Sequence, residues 1–209
     1  GQFRTRYGID VSSFQGEIDW DAVADDNIDF AMVRVGFRGT GTGSLNTDKY
    51  YEQNIRGAMR AGLETGVYFF AQAVTVEEAI EEADYVISLL DGLDINGPVA
   101  YDWEMHDSTY RVYGTSPEMA TACAVAFCER IKDAGYTPMV YGGTYVTYMK
   151  YDQGALADYL SWYPEYKSEK SEKLCPTLVY HMDYWQFSST RAVAGINGRV
   201  DMNIQFIRR

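Results

Sequence analysis

The sequence predicts an α/β barrel of eight strands, irregular because its outer ring of helices is reduced. Three observations carry this. Short apolar, β-rich runs alternate with helical patterns, the mark of βαβ units and a parallel sheet. Eight such runs can be read along the chain. Helical signals thin out after residue 142, and the last strands follow one another through loops. A doubly wound open sheet is the structural alternative, but no glycine fingerprint of the dinucleotide type follows the first strand.

The candidate strands are residues 7–12, 30–36, 66–72, 99–104, 138–141, 159–163, 180–187 and 200–206. The helices between the earlier ones are well punctuated. Thr75 with Glu78 three residues on reads as a capping box opening a helix that runs to about Leu90. Ser116-Pro117 places a cap residue and then Pro at the first helical position, and Gly135 closes that helix. The glycine-rich stretch 36–43 lacks the Lys-Ser/Thr ending of a phosphate loop and reads as a mobile loop.

A chain of 209 residues fits one sizeable domain, and residues 1–209 are taken as a single catalytic unit. With 46% hydrophobic and 15% aromatic residues, a substantial core can be buried. The formal net charge of −12 argues against nucleic acid, whose phosphates need a basic footprint. A neutral ligand held by stacking and hydrogen bonds, such as a sugar, fits better. Apolar runs such as 66–73 are too short to span a bilayer, so no membrane insertion is expected. Cys123 and Cys128 sit five apart in a predicted helix, too far for an unstrained bridge, and read as small apolar fillers. With His106 and His181 the only histidines, no zinc spacing occurs, and neither a metal nor a cofactor is expected. The chain opens Gly1-Gln2-Phe3 without an initiator Met, which reads as a processed piece.

Four acids stand at or near strand ends: Asp10, Asp102, Glu104 and Asp201. In (β/α) barrels the catalytic face lies at the C-terminal ends of the strands. A carboxylate placed there costs stability unless it is solvated or paired, so chemistry is a natural reason for it. Asp102-x-Glu104 is the sharpest signal, because residues i and i+2 of a strand share a face, ~7 Å apart at the backbone. Neighbouring carboxylates raise one another's proton affinity, so one keeps its proton while the other stays ionised. Glycosidic cleavage needs such a pair: an acid for the leaving oxygen and an anion facing the positive transition state.

Aromatic residues cluster near the same strand ends. Tyr68, Tyr141, Trp162, Tyr166 and Trp185, with Gln186 as a polar neighbour, are candidate sugar-binding residues. Sugar rings present C–H faces to aromatic rings, and their hydroxyls seek polar partners.

These residues match a known pattern. The opening Tyr7-Gly8-Ile9-Asp10-Val11-Ser12-Ser13-Phe14-Gln15-Gly16, followed by Ile18-Asp19-Trp20, resembles that of glycoside hydrolase family 25, the lysozymes first described from fungi and phages. Later blocks agree in order: Phe30-Ala31-Met32-Val33-Arg34, Gly66-Val67-Tyr68-Phe69-Phe70, Tyr101-Asp102-Trp103-Glu104, Trp185-Gln186-Phe187-Ser188-Ser189 and Gly198-Arg199-Val200-Asp201-Met202-Asn203. The resemblance implies a flattened eight-stranded barrel. It also implies cleavage of the β-1,4 bond between N-acetylmuramic acid and N-acetylglucosamine in peptidoglycan. Glu104 then looks like the general acid/base. Asp102 would stabilise the transition state as an anion or orient the substrate's acetamido group, and Asp10 and Asp201 would line the pocket. Asp183 is a rival to Asp201 for that place. The family's Trp-x-Ala-x-Tyr block stands here as Trp162-Tyr163-Pro164-Glu165-Tyr166, which alters the groove, and Tyr68-Phe69 replaces a Tyr-His sometimes found there.

The family's substrate implies an extracellular or cell-wall-associated monomer, secreted or released by a phage, with peptidoglycan strands as its partner. Two other readings compete. One is a non-catalytic cell-wall glycan-binding module on the same scaffold, which predicts a missing or blocked acid. The other is a divalent-metal phosphoesterase, which would want further ligands, usually His, at matching strand ends. Retention and inversion depend on the carboxyl separation in space and stay open.

Overall fold

Nine strands form one sheet in a computed structural model of the chain, which describes residues 3–167 and 175–208. They are β1 (Phe3–Val11), β2 (Phe30–Arg38), β3 (Leu45–Thr47), β4 (Glu64–Ala71), β5 (Val99–Trp103), β6 (Pro138–Tyr141), β7 (Leu160–Pro164), β8 (Tyr184–Arg191) and β9 (Val200–Arg208). The order is β1-β9-β8-β7-β6-β5-β4-β2-β3, and β1 also pairs with β2. That second pairing closes eight strands into a barrel and leaves β3 as a short flap on β2. The expected eight strands are all present, seven close to their expected positions and one, expected at 180–187, displaced four residues to Tyr184–Arg191.

Two features depart from expectation. The stretch 36–43 is a hairpin rather than a free loop: it ends β2 and turns into β3, with Gly39 N–H donating to Ser44 O at 2.9 Å and Gly43 N–H to Gly39 O at 2.9 Å. At three residues, β3 is too short to show any periodicity. The sheet is also mixed rather than wholly parallel, because β9 runs antiparallel to both β8 and β1. Residues 192–199, which join β8 to β9, are too few for a parallel crossover of about a dozen residues or more.

The helices α1 (Trp20–Asp25), α2 (Tyr51–Arg60), α3 (Val76–Leu89), α4 (Pro117–Asp133) and α5 (Thr144–Met149) all precede β7, so the ring is incomplete as expected. The caps follow the punctuation. Thr75 Oγ1 accepts from Glu78 N–H at 3.2 Å and Ser116 Oγ from Met119 N–H at 3.2 Å. The box at Thr75 is only half made, since the Glu78 carboxylate turns to Val74 N–H and Arg111 instead. Cys123 and Cys128 are buried free thiols on α4. No helix among the described residues is long and apolar enough to cross a membrane.

The core has two shells. Outside the barrel, α3 and α4 cover β4 and β5, with the Tyr101 and Phe127 rings 4.8 Å apart and Trp103 Nε1 donating to Ala73 O. Inside, Phe30, Met32, Ala100, Met139 and Tyr184 fill the space between the strands. Two glycines make this plug possible. A Cβ on Gly8 would lie 2.3 Å from the Phe30 ring, and one on Gly66 would lie 2.6 Å from Met32 Sδ. The barrel is therefore floored by apolar groups, and the inward positions above the floor are free to be polar.

Candidate active site

Side-chain alternation carries β5 from the apolar floor to the acids. Ala100 belongs to the inner cluster, Tyr101 and Trp103 pack outward, and Asp102 shares the inward face with Ala100. Glu104 follows one residue past the end of the strand. Asp10 lies near the end of β1 and pairs in register with Asp201 near the start of β9. Because β9 is antiparallel, its first residues reach the mouth where the parallel strands end. That is why an acid early in a strand joins acids at strand ends.

The four acids line one cleft of about 520 Å³. Tyr68, Tyr141, Trp162, Tyr166 and Gln186 line it with them, as do Pro164, His106 and Tyr145. Trp162, Pro164 and Tyr166 enter at every second residue of β7 and its extension, whereas Glu165 faces away and accepts from Thr177. Pro164 thus sits on the cleft wall. Trp185 does not belong here: it lies on the outer face of β8, donates from Nε1 to Glu165 O at 3.0 Å, and packs on Phe187. Its neighbour Gln186 takes the inward face by alternation. Asp183 lies just before β8, at the opposite end from the acids, where it accepts from Ser161 N–H and contacts His181.

A hydrogen-bonded chain fixes the cleft floor. Tyr141 OH and Tyr166 OH donate to Gln186 Oε1 at 3.2 and 2.9 Å. Gln186 Nε2 and Asn203 Nδ2 each donate to Asp10 Oδ2 at 2.8 Å, and Trp162 Nε1 donates to Asn203 Oδ1 at 2.8 Å. Asn203 is fully buried at the centre of this chain and was not among the expected site residues. The signal was present, since Asp201-x-Asn203 shares a face for the same reason as Asp102-x-Glu104. His106, just beyond the strand, has its Nε2 2.6 Å from Glu104 Oε2.

The electrostatics are those of acids taken out of water. Burial, and then the charge of Asp201, push Asp10 up to about 8 despite its two amide donors. Burial pushes Asp102 well above the usual carboxylate range, with Glu104 and Asp10 adding to the effect and Arg34 opposing it. Burial raises Asp201 as well. The hydroxyls of Tyr68, Tyr141 and Tyr166 are raised by burial and stay protonated, available as donors. Asp102 Oδ1 is buried with no hydrogen-bond partner among the described residues. Such an oxygen normally has one, so it is an acceptor waiting for a donor. Among the described residues no three His, Cys, Asp or Glu side chains are arranged to hold a metal ion.

Comparison with known proteins identifies relatives of the whole fold. The pattern of Glycosyl hydrolases family 25 matches residues 9–196. The "Autolytic lysozyme" of Clostridium acetobutylicum is 25% identical over 197 residues, covering 94% of this chain and 54% of the relative. Among solved structures, the Clostridium perfringens spore cortex lytic enzyme SleM superposes with a TM-score of 0.79 at 21% identity, over 96% of this chain and 67% of that one. The modular autolysin LytC of Streptococcus pneumoniae, also solved with a synthetic peptidoglycan ligand, gives 0.78 at 25% identity, over 98% of this chain and 47% of its own. The chain thus spans about half the length of the autolytic lysozyme and of LytC.

Proposed function

The chain belongs to glycosyl hydrolase family 25, and from that premise we propose that it cleaves the β-1,4 bond between N-acetylmuramic acid and N-acetylglucosamine in bacterial peptidoglycan. Residues 1–209 act in this reading as one catalytic domain, a monomer working outside the cell or at the wall. The observation that carries the proposal is the shared projection of Asp102 and Glu104 from one end of β5 into an open, aromatic-walled cleft.

Glu104 is the general acid/base. It lies at the cleft rim, partly exposed, where it can reach a glycosidic oxygen and afterwards meet water. Asp102 is deeper, where burial raises its proton affinity, which favours its second possible role, hydrogen bonding to the substrate's acetamido group. Its unpartnered Oδ1 suits an amide N–H. Asp201, sharing one negative charge with Asp10 opposite it, contributes negative potential beneath a sugar ring that becomes positive as the bond breaks. Tyr68, Tyr141, Trp162 and Tyr166 offer ring faces and hydroxyls to the sugars, and Gln186 holds two of those hydroxyls in place.

The test is release of reducing ends from purified peptidoglycan by Glu104→Gln, with mass spectrometry of the fragments made by the wild-type protein. Loss of a general acid lowers turnover by about 100- to 10,000-fold. Near-wild-type release would remove Glu104 from its role, and a reducing end other than N-acetylmuramic acid would reject the bond assignment.

A further inference from the structure

Glu104 stands beyond the last ladder pairing of β5, so something other than the sheet must hold its backbone. The pairing of β4 with β5 ends at Ala71 opposite Trp103. The next residues in line are Gln72 and Glu104, and there a side chain takes over: Gln72 Nε2 donates to Glu104 O at 2.7 Å. Gln72 is itself anchored at both backbone atoms. Its N–H donates to Glu82 Oε1 at 3.0 Å, and its carbonyl accepts from Arg111 Nη1 at 2.8 Å. Arg38 then ties Glu82 down, donating from Nε at 2.7 Å, and reaches Gly43 O and Glu78 O with its other nitrogens. Gln72 and Glu82 are fully buried and Arg38 is nearly so.

We propose that Gln72 is a positioning residue for Glu104, held by Glu82, Arg38 and Arg111 as a rigid clamp outside the barrel wall. The proposal rests on the reading of Glu104 as general acid.

Two features argue that this cluster is more than packing. It is costly: Gln72 Oε1 and Glu82 Oε2 are both buried without hydrogen-bond partners among the described residues, and burial pushes Glu82 up to about 7 even beside Arg38. An apolar filling at the end of two strands would avoid those penalties. It is also aimed: the three contacts on Gln72 leave its amide pointing at a single carbonyl, that of the residue whose carboxyl must meet the glycosidic oxygen. A catalytic group has to be held within a fraction of an ångström by neighbours that are themselves locked. Gln72 meets that requirement where the sheet does not.

Gln72→Met keeps the length of the side chain and removes the donor. Measured on soluble peptidoglycan fragments, its kcat should fall about tenfold, within the range expected for misplacing a reacting group, while KM stays within about twofold. Gln72→Glu, which turns an acceptor towards the carbonyl, should lose at least as much. A purely structural role would lower the melting temperature and leave kcat per folded molecule unchanged. Wild-type kcat in folded Gln72→Met overturns the proposal. Should both Gln72 variants fail to fold, Arg111→Met decides, because Arg111 is partly exposed and holds the Gln72 carbonyl besides its ion pair with Glu78, so Glu78→Gln, which breaks only that pair, is run as the control. A kcat lowered about threefold at unchanged KM supports the clamp, and an unchanged kcat overturns it. Glu104→Gln run alongside separates the two levels: if it stays active, the reading of Glu104 has failed, whereas if it is inactive and Gln72→Met is normal, the clamp alone has failed.

Discussion

Asp10 and Asp201 face each other directly across the antiparallel β1–β9 pair, and Asp10 is the more deeply buried of the two. Two carboxylates so placed cannot both ionise cheaply. With Asp10 raised to about 8, the folded chain at neutral pH holds a proton that the unfolded chain, with its Asp near 4, has released. Folding takes up a proton over that interval. The contribution of this group to stability is therefore intact below about pH 4, declines as pH rises towards 8, and is flat above.

Asp10→Asn copies the protonated form and keeps an acceptor for Gln186 and Asn203. It is expected to stabilise the protein at pH 7 by on the order of 1–3 kcal/mol and to flatten the dependence of melting temperature on pH between 4 and 8. Thermal unfolding at several pH values checks this. A variant as steeply pH-dependent as the wild type would show that Asp10 is not the group taking up the proton.

Asp102 is expected to act through a hydrogen bond more than through a fixed charge, since burial favours its protonated form. Asp102→Asn preserves a carbonyl oxygen where Oδ1 now lacks a partner, and Asp102→Ala removes it. The Asn variant should keep at least about tenfold more turnover than the Ala variant, the scale of one well-placed hydrogen bond in a closed site. If both are equally inactive, the anionic role is the right one.

Most of the barrel could be read from the chain because its signals are local. Short apolar runs, the caps at Thr75 and Ser116, and Gly135 all act within a few residues. The cleft was legible for the same reason: Asp102-x-Glu104 is a one-strand statement about faces. What escaped depends on partners far away in sequence. The expected strand bounds leave twelve residues, 188–199, between the last two strands, enough for a parallel crossover; β8 in fact runs on to Arg191, which shortens the link, makes β9 antiparallel and brings Asp201 opposite Asp10. Trp185 and Gln186 are adjacent, so only one of them can face inward, and it is the polar one, because Asp10 supplies its partner 176 positions away. Gln72 looked like the last residue of a strand, and its role follows from where β5 stops.

Tyr166 tests the binding half of the site. It is 54% exposed, so truncation should cost little stability, yet its hydroxyl donates to Gln186 and its ring faces the cleft. Tyr166→Ala should raise KM on soluble fragments by about five- to thirtyfold, the equivalent of about 1–2 kcal/mol of ring contact, with a smaller change in kcat. An unchanged KM would take Tyr166 off the list of sugar contacts.

Gly8 tests the floor on which the acids stand. It precedes Asp10 by two residues on the same inward face of β1, and any Cβ there would lie 2.3 Å from the Phe30 ring, well inside contact distance. Phe30 cannot withdraw easily, because its ring meets Tyr184 edge-on with centroids 5.3 Å apart. Gly8→Ala is therefore expected to overpack the barrel and cost about 1–3 kcal/mol. If the clash is the cause, shrinking the ring must relieve it. Phe30→Leu alone should also destabilise, by leaving a cavity, yet the double variant should be more stable than the sum of the two losses by at least about 0.5 kcal/mol. Chemical denaturation of the four proteins closes this cycle. Strict additivity would mean that Gly8 is tolerated for some other reason, and that Asp10 owes its position above the floor to something other than the Gly8–Phe30 contact.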